Sequence, residues 1–122
     1  MAVRGLDRRP NVLPGRLRIV VTEQGTTTTI AVDGEWDLTE LQASRAAIRA
    51  VLEGCPECIV LDLSQLSFID STGLHIVVEL HKRCTHQNVR LVIVPGPRAV
   101  QRIFEICRLT ELLPFVKRPA VT

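Results

Sequence analysis

Asp70, Ser71, Thr72 and Gly73 stand in a row inside the segment FIDSTGL (68–74), and they are the residues best suited to chemistry in this chain. Before them runs CIVLDLSQLS, which reads as a buried strand, and after them HIVVELHKRC, which reads as an amphipathic helix. Three uses fit a hydroxyl at a strand-to-helix junction. The plainest is a cap, in which Asp or Ser satisfies the unpaired N–H groups of a first helical turn. The second is phosphorylation. The same N–H groups and the helix dipole favour negative charge, so a phosphoryl group on Ser71 would find donors there. Gly73 would leave a kinase or partner room to reach the hydroxyl. The third is nucleophilic catalysis, but Ser71 lacks the G-x-S-x-G elbow. His75, four residues on, has no evident orienting acid or substrate pocket. No catalytic residue is expected.

Asp37, in the loop DGEWDL (33–38), joins this set if its strand and the CIVLDL strand lie parallel and adjacent. Both loops would then emerge at one edge of the sheet, where open α/β sheets present their sites. On the helix after Ser71, His75 groups with Glu79, Lys82 and His86 on a polar face. His81 falls instead within the apolar stripe of Leu74, Val77, Val78 and Cys84, where a partly buried histidine is expected.

Cys55 and Cys58 form a C-x-x-C, CPEC, but it follows a helix-ending Gly54 and precedes a strand. A redox pair wants the reverse order, with the thiols opening a helix. A structural zinc site wants a second pair of ligands, and His81, Cys84 and His86 do not supply one. No metal and no cofactor are expected.

The elements that must hold these residues follow from periodicity. Residues 17–22 and 27–32, LRIVVT and TTTIAV, are β-branched runs around Gly25 and predict a hairpin. Thr39 and Gln42 match a capping box ahead of a helix that carries Leu41, Ser44, Ile48, Val51 and Leu52 at helical spacing, closed by Gly54 and Pro56. A strand at 58–63, a helix at about 72–85 and a strand at 89–94 follow. Pro97 then opens a third helix with Val100, Ile103, Phe104 and Cys107 on one stripe, and a short apolar element spans 109–116. The order β-β-α-β-α-β-α predicts an α/β fold, a small mixed sheet of four to five strands with helices packed against it.

One domain is expected from 122 residues, at 17–118, with flexible tails at 1–16 and 119–122. The first fifteen residues carry Arg and Pro where a signal peptide needs an apolar run. No stretch reaches the ~20 apolar residues of a membrane span. A cytoplasmic location without membrane attachment is the default expectation. Net charge is +2, and the Arg4, Arg8 and Arg9 cluster has no aromatic platform beside it, so nucleic acid is not an expected partner.

DGEWDL, IVLDLSQLSFIDSTGL (59–74) and RLVIVPGPRAVQRIFEICRLTELLPFV (90–116) together resemble the bacterial anti-sigma factor antagonists, the STAS-domain family. The resemblance runs from Leu17 to about Lys117. It implies a protein that binds an anti-sigma factor acting also as a serine/threonine kinase, and thereby frees the sigma factor. Phosphorylation of the Ser after Asp, here Ser71, then releases the kinase, and a phosphatase acting on phospho-Ser71 resets the switch. Asp70, Thr72, Gly73 and Leu74 match the rest of that motif, and Asp37 matches the loop Asp beside it. Trp36 stands where the family more often has a smaller aliphatic residue, Thr72 replaces a common Ser, and His75 is unusual after the Leu. Trp36 and His75 are therefore expected at the partner-binding surface. A non-switching STAS scaffold or transport-complex subunit is the alternative, and a homodimer is left open.

Overall fold

β-Branched runs on either side of Gly25 pair as the expected hairpin, β1 (Leu17–Gln24) with β2 (Thr27–Trp36), antiparallel from Leu17↔Gly34 to Gln24↔Thr27. Gly25 turns the corner at φ +65, a left-handed conformation glycine adopts without strain. The chain then makes one 3-10 turn (Leu38–Glu40) and continues through α1 (Leu41–Glu53), β3 (Cys58–Ile69), α2 (Ser71–Gln87), β4 (Arg90–Val94) and α3 (Arg98–Ile106). This computed structural model describes residues 17–117; the tails expected at 1–16 and 119–122, with Arg4, Arg8 and Arg9, lie outside the described residues.

The sheet order is β1-β2-β3-β4, with β3 parallel to both β2 and β4. Phe115 adds a parallel bridge to Ile93, held by Ile93 N–H to the Pro114 carbonyl and Val116 N–H to the Ile93 carbonyl, both 2.9 Å. The terminal apolar element is therefore a rudimentary fifth strand. The crossovers through α1 and α2 step across the sheet in the same direction. Right-handed connections then place both helices on one face, and the two pack against each other. The core is aliphatic. Ile59, Leu61 and Leu63 of β3 and Ile76 and Val77 of α2 are all fully buried, each worth about 1.5–3 kcal/mol. Phe104 of α3 joins the same core beside β4, edge-on to Phe115 with ring centroids 5.1 Å apart.

Four local expectations are corrected. The strand expected at 58–63 runs on to Ile69, because two bulges hide its continuation. Between Ala31/Asp33 and again between Gly34/Glu35 of β2, β3 contributes one extra residue. Its buried side chains thus change spacing from two (59, 61, 63) to three (63, 66, 69). The Thr39–Gln42 capping box does not form. Asp37 caps the 3-10 turn instead, accepting from Thr39 N–H at 3.0 Å and from its hydroxyl at 2.6 Å. Pro97 is the cap residue before α3 rather than its first residue. Cys107 lies just past the end of α3 and is exposed, so it leaves the apolar stripe.

The CPEC segment is a turn between α1 and β3 with Cys55 at φ +53, and all four cysteines are unpaired. Cys84 is buried in α2, which pushes its thiol up to about 11, partly offset by the charge of Arg83. Among the described residues no cluster of three or more His, Cys, Asp or Glu is arranged to hold a metal ion. No helix among them is long and apolar enough to cross a membrane.

Candidate functional site

The parallel strands β2 and β3 end side by side, Trp36 opposite Ile69. One further bond seals the edge, from Asp70 N–H to the Trp36 carbonyl at 3.2 Å. Asp37 and Asp70 are the next residues of the two strands. Each turns out of the sheet in extended conformation and caps the helical turn that follows it. The sequence placed both loops at one edge, and the register brings them together there.

Asp70 is the N-cap of α2. Its Oδ1 accepts from Thr72 N–H at 2.8 Å and Gly73 N–H at 3.3 Å, and its carbonyl accepts from Leu74 N–H at 3.0 Å. Ser71 is the first residue of α2 and is exposed. The junction is thus a cap and an accessible hydroxyl at once, on adjacent residues. Two of the donors expected to await a phosphoryl group on Ser71, the N–H groups of Thr72 and Gly73, are engaged by the Asp70 carboxylate.

Trp36 is a correction of the opposite kind. β2 extends four residues past its expected end, and its alternation turns the Trp36 side chain inward, leaving it 1% exposed. The indole Nε1–H donates to Ser44 Oγ at 2.8 Å, and that hydroxyl donates to the Glu40 carbonyl at 2.6 Å. Trp36 therefore has no ring to offer a partner; it is the pillar under the site. Leu74 and Gly73 are also inside. A Cβ on Gly73 would fall 2.6 Å from Ile69 Cγ1 and 3.1 Å from Trp36 Cγ. Glycine here allows α2 to seat on the indole; it does not clear a path to the hydroxyl. Gly73→Ala is expected to destabilise the fold by about 1–3 kcal/mol through overpacking. Urea unfolding with an unchanged midpoint would contradict this contact.

Exposed at the edge are Ser71 and His75 of α2, with Asp37 and Thr72 half-buried between core and solvent. Two apolar residues that the sequence reading did not single out lie at the same edge: Leu38 at 65% exposure and Phe68 at 47%. Each borders an acidic or hydroxyl residue in the sequence, and such a neighbour carries no signal of exposure. Large apolar side chains left open beside a polar cap suit a protein-binding surface. His81 is half-buried, as expected of its place in the stripe.

Solved structures with this fold include an anti-sigma factor antagonist from Mycobacterium paratuberculosis (24% identical, TM-score 0.78), covering 87% of this chain and 90% of that one. The unphosphorylated form of the anti-sigma factor antagonist SpoIIAA aligns at TM-score 0.70 and 19% identity, over 84% of this chain and 90% of that one. At these identities the likeness is one of fold. In sequence, the anti-sigma-F factor antagonist RsfB of Mycobacterium tuberculosis is 28% identical over 80% of each chain. A probable sulfate transporter 3.4 of Arabidopsis thaliana is 35% identical over 57 residues, which span 47% of this chain and 9% of that protein. The STAS domain family model matches residues 18–120, which take in the paired strand ends and, save for Leu17, the strands and helices of the described residues, and the chain belongs to the STAS-domain family.

Proposed function

We propose that this protein is an anti-sigma factor antagonist that works as a phosphorylation-gated binding module. Unphosphorylated, it docks an anti-sigma factor serine kinase on the edge formed by Asp37, Asp70, Ser71, Thr72 and His75, and the sigma factor is freed. Phosphorylation at Ser71 ends the contact, and a phosphatase restores it. The reading rests above all on the exposure of Ser71 as the first residue of α2, next to a carboxylate that accepts from two of the helix-start N–H groups. Relatives named as anti-sigma factor antagonists, one aligned over 80% of both chains, support it. A cytoplasmic location follows from the same reading, because its partners act on the transcription machinery.

Incubation with candidate anti-sigma kinases and ATP tests the acceptor. Mass spectrometry is expected to find one phosphoryl group on the peptide containing Ser71 and none on the Ser71→Ala protein. Modification confined to another residue would remove Ser71 from the mechanism. A second reading, a STAS scaffold or subunit of a transport complex, is favoured by the 35% identity to a sulfate transporter over 57 residues. It predicts co-purification with a membrane transporter and no phosphorylation by any of the kinases.

A further inference from the structure

The crossovers through α1 and α2 step the same way across the sheet, and α3 leads on to Phe115, which bridges in parallel to Ile93 on the other side of β4. Right-handed connections place all three helices on one face. The core agrees, since Ile48 of α1, Ile76 of α2 and Phe104 of α3 join one cluster with Ile59, Leu61 and Ile93. The opposite face of the sheet is left without a helix among the described residues.

That bare face is partly apolar. Val20, Ala31, Asp62 and Val94 stand in register across the four strands, with Val60 and Val92 paired in the next row. Val20 is 48% exposed, and the other five are half-buried. Phe68, 47% exposed, shares the face with Glu35, because the next residues of their strands, Ile69 and Trp36, are buried in the core. Parallel strands ordinarily have both faces covered. The charge of the face narrows what can cover it. Asp33, Glu35 and Asp62 lie there, against Arg18, which pairs with Asp33 at 3.9 Å, and Arg90 at the far end of the sheet. Asp62 sits among the valines, its Oδ1 accepting from Ser64 N–H at 2.9 Å. A second copy would set carboxylates against carboxylates, and an anionic lipid surface would do the same, whereas a basic chain complements them.

We propose that residues 1–16, which precede β1, dock across this face. They carry Arg4, Arg8, Arg9 and Arg16 against one acid, Asp7, and the apolar pair Val12 and Leu13. Pro14 and Gly15 suit a tight turn just ahead of β1, which would return the preceding residues over the sheet. Asp62 is two strands in from β1, ~10 Å at the usual strand spacing. The eight residues from Arg9 to Leu17 span up to about 26 Å when extended, so Arg8 and Arg9 reach it. Val12 and Leu13 then lie over Val20 and Ala31. Covalent attachment favours this segment over a free chain of the same composition, because it holds the local concentration near the millimolar range. The inference does not depend on Ser71 or on phosphorylation.

The test is methyl NMR of the full chain at low protein concentration. Nuclear Overhauser contacts are expected from the methyl groups of Val12 and Leu13 to those of Val20, Ala31 and Val60. Asp62→Arg is expected to lower the ratio of docked to free segment about fivefold, and Arg8→Glu with Arg9→Glu to do the same. Combining the two sets is expected to restore the contacts with the charges reversed. Fluorescence of Trp36 during urea unfolding shows that each variant is folded; should Asp62→Arg not fold, the arginine variant decides alone. Five outcomes overturn the proposal: random-coil shifts for residues 1–16 with no contact to the sheet, contacts from residues 118–122 in their place, contacts unchanged in the arginine variant, Val60 and Val92 shifts that move with protein concentration, or shifts of those methyls only on adding anionic lipid vesicles.

Discussion

Ser71→Glu is expected to bind the anti-sigma kinase at least about tenfold more weakly than Ser71→Ala, and the phosphorylated protein more weakly still. The site explains the size of the effect. A phosphoryl group brings about −1.5 to −2 charges to the first residue of α2, next to the Asp70 carboxylate and at the same edge as Asp37. A partner carboxylate docked about 5 Å from that group, at an effective dielectric of about 20, is repelled by about 3 kcal/mol per unit charge. Solvent screening at an exposed residue reduces this, and half of it still corresponds to about tenfold in affinity. The N–H groups of Thr72 and Gly73, which elsewhere would welcome an anion, are held by Asp70 and do not offset the repulsion. No refolding is required. Isothermal calorimetry of wild type, Ser71→Ala and Ser71→Glu against the kinase measures it directly, and equal affinities across the three would refute a charge-gated contact.

Trp36→Ala is expected to cost about 3–5 kcal/mol of folding stability, the range for a large aromatic removed from a core. A domain of ordinary stability has only about 5–15 kcal/mol in total, so the variant should be close to unfolding. Trp36→Phe keeps most of the ring volume and loses the hydrogen bond to Ser44. It should cost about 1 kcal/mol in lost bonding beyond the lost volume. The readout is convenient, because Trp36 is the sole tryptophan of the chain and its fluorescence follows its own burial during urea unfolding. A Trp36→Ala protein as stable as wild type would mean the indole is not the pillar described. The two predictions also separate support from contact: Trp36 substitutions act through stability, and Ser71 substitutions act on binding while leaving the fold intact.

The hairpin, the three helices and the parallel strands were legible in the sequence because each is written in local periodicity. Alternating β-branched residues mark β1 and β2, and four-residue recurrences mark α1 and α2. The Asp70–Ser71 junction was legible too, since a cap and a helix start are local events. The second half of β3 was not. Its two bulges change the spacing of Leu63, Leu66 and Ile69 from two to three, and a three-residue spacing resembles no strand. Ser44, an oddity in an apolar stripe, gained its meaning only from the indole above it.

The sequence by itself determined the element order and put a serine hydroxyl at the head of a helix, because a few neighbouring residues decide both. Only the tertiary structure decided that Trp36 points inward, that Gly73 seats a helix on that ring, that Asp70 takes the N–H groups of Thr72 and Gly73, and that three arginines from two helices share one cleft. Each of these depends on register and on the meeting of segments far apart in the chain. Local spacing carries no record of what a side chain will face once the sheet has closed against its helices.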